Sequence, residues 1–542
     1  MIWTIILLIQ AAILYCILTH RKRYKTDPPL DKGIIPWLGH ALEFGKDAFK
    51  FLARMKKKHG DIFTVRVAGR YVTVLLDPFS YDLVLTDRDS LDFSQYATVL
   101  MDRIFQLKLP HHMQNQSKVI MKKHFLGMNL IGLNTSIGRH LHNLMKAELS
   151  VNQKDWKEEG LFNFSYSLLF KAGYLTLFGE QNNNVTDPSK IYKEYRTFDG
   201  LLTKLARGTL KPEEKKLSQS VRQRLCALLS PVGGGEEDSG AGSWVHSYRR
   251  MLQDEGVDHD TQNKALLMQL WASQGNAGPA AFWLLGFLLT NPDAMTAVKK
   301  EFRGISQTSE TCLFNVKTPV FDSALEETLR LTAAPFITRE VVREKTIHMS
   351  DGQEYRLRKG DRLCLFPLLS PQMDPDVHSE PQIFKHDRFL NQDGSPKTDF
   401  YKRGRMLKYY TMPWGAGVNG CVGRQLAIHS IRLFVYMVLT KYDIELCDRN
   451  AHMPDVNTSR YGFGVLQPEG ELQSSHKDWR CAQWCSGGGT LESRCDTALQ
   501  GLNWRLLLRA ERRLLDHCPP HAPGLTPATE TCLPASALLA TC

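Results

Sequence analysis

The stretch of this chain most able to do chemistry is Pro413-Trp414-Gly415-Ala416-Gly417-Val418-Asn419-Gly420-Cys421-Val422-Gly423, followed by an apolar run with helical spacing through Leu439. Three glycines ahead of a cysteine let the backbone curl its amides toward one sulfur. A helix opening just after it brings its positive dipole end to the same place. Both effects favour thiolate over thiol, and a thiolate presented this way is how a cysteine holds haem iron. Read as G-x-G-x-x-G, Gly415, Gly417 and Gly420 imitate a dinucleotide loop, with Asp443 at a suitable distance downstream. That reading needs a buried strand before the first glycine, whereas Lys408 to Pro413 is polar and ends in proline. Too little chain also follows to build the sheet. The glycines serve the cysteine.

A second constellation is Glu327 and Arg330, whose i, i+3 spacing places them on one helix face as a pair, together with Arg388 in Phe384-Lys385-His386-Asp387-Arg388-Phe389. A third is Ala272-Ser273-Gln274-Gly275-Asn276-Ala277-Gly278-Pro279, midway along a helix expected to run from Asp260 to Thr290. Gly275, Gly278 and Pro279 should open that helix locally, since proline lacks a backbone donor and clashes one turn back. The half from Ala280 to Leu289 is apolar all round and must cross the interior.

The remaining elements must hold these three stretches. Lys46 to Lys58 has helical periodicity and ends at Gly60. Ile62 to Val67 and Tyr71 to Leu76 are β-rich and joined through Ala68-Gly69-Arg70, a hairpin signal. Asp77-Pro78 opens a helix, as Asn291-Pro292-Asp293 closes one and opens another. Gly233 to Ser243 reads as a polar surface loop. The 542 residues, 43% hydrophobic and 23% charged, form a globular chain. Of twelve cysteines, the six before residue 471 show neither a disulfide framework nor zinc spacing, which points to a reducing compartment. Ile2 to Leu18 is almost wholly apolar, with Arg21, Lys22, Arg23 and Lys25 behind it, so the sequence predicts a retained single-pass anchor with everything after it cytoplasmic. The net charge of +11 therefore reads as membrane orientation, not nucleic-acid binding. The expected division is an anchor over 1–20, a basic and Pro-rich linker over 21–45, a catalytic domain over 46–470 and a tail over 471–542. The tail shows no strand pattern, a helix only at Trp504 to Leu515, and no metal partners for Cys481 and Cys485.

These residues together resemble the cytochrome P-450 family. Its signature, aromatic-x-x-Gly-x-x-x-Cys-x-Gly, is met by Trp414, Gly417, Cys421 and Gly423, and its E-x-x-R by Glu327 and Arg330, with Arg388 as the third member of a buried structural network. The resemblance covers about residues 1 to 470. It implies a mainly α fold with small β sheets, haem b with Cys421 as axial ligand of the iron, and the endoplasmic reticulum membrane as home. Trp414, Arg339 and Lys118 (or Lys122) are the residues it places near the haem.

The family's monooxygenases keep an acid–alcohol pair where the central helix passes the haem. Here that place holds no carboxylate and no threonine, but the neutral amide of Asn276. Such a site need not deliver protons to dioxygen if its oxygen arrives already reduced, as a peroxide. The run Leu331 to Glu340 and the stretch Ala272 to Trp283 are similar to those of the family's endoperoxide-isomerising members. The resemblance thus implies conversion of a prostaglandin endoperoxide to prostacyclin by iron-assisted O–O homolysis, without NADPH or a reductase partner. Cys421 and Asn276 would be catalytic, and Asn276, Thr338, Arg339, Arg362 and Ile104 would meet the substrate. The alternatives are an NADPH-dependent sterol or bile-acid hydroxylase of the same fold, and a non-catalytic haem-binding protein.

Overall fold

The computed structural model describes residues 24–150, 156–179, 187–230, 243–305 and 316–478, with residues 3 and 10 alone ahead of them. The chain divides into two units, residues 1–481 and 482–542. The second unit lies wholly outside the described residues, as do most of the expected anchor, nearly all of the loop at Gly233 to Ser243, the Cys481–Cys485 pair and the helix expected at Trp504. Among the described residues no helix is long and apolar enough to cross a membrane.

Helices build most of the first unit. Those that position the site are Phe93–Phe105 (α1), Leu161–Leu177 (α2), His259–Gln274 (α3), Ala277–Thr290 (α4), Pro319–Thr332 (α5) and Arg424–Lys441 (α6). Asp258 caps α3 by accepting from Thr261 N, and Pro292 opens the helix that follows α4. The expected single helix from Asp260 to Thr290 is two helices, separated by a turn at Gly275 and Asn276 in which both residues stay in the right-handed region but Asn276 opens to φ −117°. Pro279 has no N–H to give Gly275 O, and that carbonyl instead faces Tyr166 Oη of α2 at 3.5 Å. Gly278 lies so close to Tyr166 that a Cβ there would sit 2.3 Å from the ring. The expected helix at Lys46 to Lys58 also divides, at Asp47, whose side chain accepts from Lys50 N and starts a new helix ending at His59.

The predicted hairpin forms from Ile62–Val67 (β1) and Arg70–Leu75 (β2). Ala68 and Gly69 both have positive φ, +46° and +78°, the two-residue turn whose twist matches antiparallel strands. It does not stand alone. β2 runs parallel to Arg362–Leu365 (β4), which pairs antiparallel with Ile337–Val341 (β3), and two-residue pieces at Leu30 and Leu91 complete a six-stranded sheet. The hairpin and the segment after α5 are thereby one structure.

The absence of a strand after residue 471 is corrected. Gln473–Asp478 (β6) is the central strand of a three-stranded sheet, between Tyr442–Leu446 (β5) and Lys157–Gly160. The polar run Gln-Ser-Ser-His-Lys-Asp has no apolar alternation to announce it. Ladder bonds on both sides hold it, with His476 packed 4.8 Å from the Phe164 ring.

Candidate active site

The cysteine loop is built from its turns. Gly415 and Gly417 both take φ +66°, and a Cβ on Gly417 would meet Leu85 O at 2.9 Å, so neither a side chain nor an ordinary backbone conformation fits there. Cys421 N donates to Trp414 O at 2.9 Å, closing the loop, and α6 starts three residues later. The Gly423 and Arg424 amides point at the Cys421 sulfur. These amides favour the thiolate, as expected, but burial outweighs them. Burial pushes the Cys421 thiol up, and the two amides and the Arg424 charge only oppose it. The side chain is nevertheless open to small molecules. A thiol that meets a metal ion is deprotonated by it.

The loop hangs from a buried ion network. Arg330 grips Glu327 through Nε at 2.6 Å and Nη2 at 2.9 Å, and Arg388 Nε donates to both Glu327 oxygens at 2.9 Å. Glu327 and Arg330 are fully buried. The spare donors go to carbonyls: Arg330 Nη1 to Gln372 and Pro381, Arg388 Nη1 to Ser379. A buried ion pair is tolerable only when its remaining hydrogens are satisfied like this.

Beside the loop lies a cationic cluster in which the Asp92 charge acts on Arg339 from nearby without a hydrogen bond to it. Arg339, on β3, is 3% exposed; its guanidinium donates to Thr338 O at 3.0 Å and lies 5.3 Å from the Phe93 ring. Lys118 Nζ donates to Asn419 Oδ1 at 2.7 Å, two residues before Cys421. Burial depresses Lys118, and the charges of Arg339, Lys122 and Arg88 depress it further. Among the described residues no carboxylate hydrogen-bonds to Arg339 or Lys118. Trp414 Nε1 is likewise a buried donor without a partner. Cations to which no described carboxylate is hydrogen-bonded, and an orphaned donor in the cysteine loop itself, fit haem, which brings two carboxylates and an iron.

Asn276 stands at the break between α3 and α4. Its Oδ1 accepts from Val465 N at 2.9 Å, and among the described residues no acceptor is bonded to its Nδ2 hydrogens. The loop that holds it is itself fixed, since Gly462 N, Ala334 N and Leu466 N donate to Ala334 O, Gly464 O and Thr332 O respectively. Gly464 sits so near that a Cβ there would lie 2.2 Å from Asn276 Oδ1. Nothing in the sequence signals this contact across 189 residues.

The other expected substrate residues have partners of their own. Thr338 Oγ1 contacts Cys364 Sγ at 3.6 Å, Arg362 Nε donates to Glu340 Oε1 at 2.6 Å, and Ile104 is buried in the main core with its carbonyl accepting from Arg222 Nη2 at 2.9 Å. Thr338 and Arg362 share one face of the sheet, paired to Cys364 and Glu340, while Arg339 points to the other. The structure thus brings Lys118 to the cysteine loop through Asn419, with the Arg339 charge close to Lys118, and it sets Arg362 in an ion pair.

Residues 28–474 match the family model described as cytochrome P450. Prostacyclin synthase of Rattus norvegicus is 50% identical to this chain over 465 residues, 82% of this chain and 93% of that protein. Prostacyclin synthase of Homo sapiens is 49% identical over the same spans. The 7-alpha-hydroxycholest-4-en-3-one 12-alpha-hydroxylase of Homo sapiens is 40% identical over 472 residues, 84% of this chain and 94% of that protein.

Proposed function

This chain belongs to the cytochrome P450 family, and from that premise we propose that it is an isomerase converting a prostaglandin endoperoxide to prostacyclin, with no need of NADPH or a reductase. The observation that carries the reading is the interrupted helix: Asn276 occupies the break, its amide oxygen committed to Val465 N and its amide hydrogens bonded to no acceptor among the described residues, with no carboxylate or threonine from Ala272 to Pro279. A site of that kind can donate a hydrogen bond to a substrate oxygen but has no relay for the protons that dioxygen chemistry consumes. The identity of about half with prostacyclin synthases, against 40% with a hydroxylase, supports the same reading.

Haem b, held at Cys421, would supply the redox-active iron at which a weak O–O bond can be broken. Arg339 and Lys118 would bind its propionates, and Trp414 would lie against it beside the sulfur. Asn276 would orient the endoperoxide by donating from Nδ2, a bond contributing about 1 kcal/mol net. That is enough to favour one oxygen over the other, so the residue acts on selectivity more than on affinity. The catalytic domain would take in the strand at Leu30 and β6 as well as residues 46–470, and so span about residues 28–478, behind an anchor over 1–20 and a short basic linker, facing the cytoplasm from the endoplasmic reticulum membrane. The apolar run at Ile2 to Leu18 and the basic cluster after it support that placement.

The test is anaerobic turnover. Ferric holoenzyme mixed with endoperoxide, without dioxygen, NADPH or reductase, should form prostacyclin. A hydroxylase would require all three additions, and a haem-binding protein without activity would form nothing under either condition.

A further inference from the structure

Just ahead of the cysteine loop, three successive residues are tied to the Glu327–Arg330 unit and the loop that follows it. Tyr410 O accepts from His378 Nε2 at 3.0 Å, Thr411 Oγ1 donates to Glu326 Oε1 at 2.6 Å, and Met412 N donates to Gln372 Oε1 at 3.1 Å. The third tie differs from the others because Gln372 uses every polar atom it has. Its Nε2 donates to Arg330 O and Ala333 O, each at 3.0 Å, at the end of α5 where carbonyls have no helical partner. Its own carbonyl accepts from Arg330 Nη1 at 2.7 Å. The side chain has no exposed surface.

From Met412 the connection to the sulfur is short. Gly415 N donates to Met412 O at 3.2 Å and sets the first left-handed turn, while Cys421 N donates to Trp414 O at 2.9 Å and closes the loop. The Gln372 amide therefore couples the end of α5 to the residue from which the cysteine loop departs. Neither glutamine nor methionine brings chemistry of its own, and no motif marks either position.

We propose that Gln372 is a positioning residue for the Cys421 ligand: by holding Met412 N it fixes how far the sulfur stands from the α5 unit, and hence from the haem iron. A buried amide so fully used has a steep cost of removal, because Met412 N and two helix-end carbonyls all lose their partner at once. The consequence falls on the iron–sulfur bond. The proposal concerns the haem ligand alone and is independent of the substrate.

The full-length holoenzyme tests it by the carbon monoxide difference spectrum of the reduced protein, read as the ratio of thiolate-type to non-thiolate absorption. Gln372→Asn keeps the amide but withdraws it from Met412 N, and Gln372→Met removes every polar atom. Both should lower the ratio by about fivefold, the change in equilibrium of one net hydrogen bond. Gln372→Glu keeps an acceptor for Met412 N while the two helix-end carbonyls lose their donor, so its stability should fall but the ratio in the folded holoenzyme should stay near wild type. Leu252→Ala, in a fully buried helix position away from the loop, should lower stability without moving the ratio. A wild-type ratio in Gln372→Asn overturns the proposal, as does an equal loss in Gln372→Glu. A fall in Leu252→Ala as large as in Gln372→Asn would reduce the effect to general destabilisation and overturn it too. Should Gln372→Met fail to accumulate, the Asn and Glu variants decide alone.

Discussion

Gly464→Ala concentrates the account of Asn276 in one methyl group. Gly464 has φ +88°, and a Cβ built on it lies 2.2 Å from Asn276 Oδ1, 3.0 Å from its Cγ and 3.2 Å from Nδ2. The substitution carries two costs. The left-handed backbone costs an alanine about 1–2 kcal/mol, and pushing the amide aside leaves the Val465 N–H without its acceptor, for about 1–3 kcal/mol more. The expected loss is thus about 2–5 kcal/mol, and a control separates the parts. Gly404 has φ +74° with nothing within 4 Å of a new Cβ, so Gly404→Ala should show the backbone cost alone. Urea denaturation of the haem-bound proteins gives both losses, and product analysis after endoperoxide turnover gives the consequence. We expect Gly464→Ala to lose clearly more stability than Gly404→Ala and to divert product, since the displaced Nδ2 no longer selects one oxygen. Equal losses for the two variants, with unchanged product from Gly464→Ala, would refute the argument that the Gly464–Val465 loop sets the amide.

Other expectations follow from the same geometry. Asn276→Asp keeps the acceptor for Val465 N but replaces the donor with a carboxylate oxygen, so stability should hold within about 1 kcal/mol while product formation per haem falls or is misdirected; wild-type kinetics would remove Asn276 from the chemistry. Glu327→Gln leaves the Arg330 and Arg388 guanidinium groups buried without a counter-charge and should cost about 3–5 kcal/mol in urea denaturation, with haem lost along with the fold; a loss below 1 kcal/mol would contradict the network. His378 is buried, and its pKa is pushed down from 6.5 to about 3 by burial and, less, by the Arg330 and Arg388 charges, against the hydrogen bond from Nε2 to Tyr410 O and the Asp374 charge. The unfolded chain therefore takes up this proton first. The contribution is whole above about pH 6.5 and is lost as pH falls toward about 3, at up to about 1.4 kcal/mol per pH unit. His378→Gln should flatten the stability–pH curve in that window, and an unchanged slope would show that His378 is not its source.

What could be read from the chain alone follows the range of the forces involved. The Ala68-Gly69 turn and the interruption at Gly275 to Pro279 are local backbone chemistry, so glycine and proline announce both. The Glu327–Arg330 pair is equally local, three residues apart on one helix, whereas Arg388 is legible only through its family motif. Contacts between distant segments leave no such trace. The Val465–Asn276 bond, the Arg362–Glu340 pair and the Gln372–Met412 tie each depend on how sheets and loops close around α5. The folded surroundings explain two of the differences. Amides around a cysteine favour the thiolate as expected, but the surrounding protein desolvates it and outweighs them, and Gln473–Asp478 looks like tail until two neighbouring strands supply its hydrogen bonds.

The central claim is that both endoperoxide oxygens stay in the product and that the enzyme adds none from dioxygen. Turnover under isotopically labelled dioxygen, with NADPH and a reductase present, tests it most directly through the mass of the product. An isomerase built on Cys421 and Asn276 should yield unlabelled prostacyclin with no NADPH consumed. One labelled oxygen per product, matched by one NADPH oxidised, would show a hydroxylase and contradict the account.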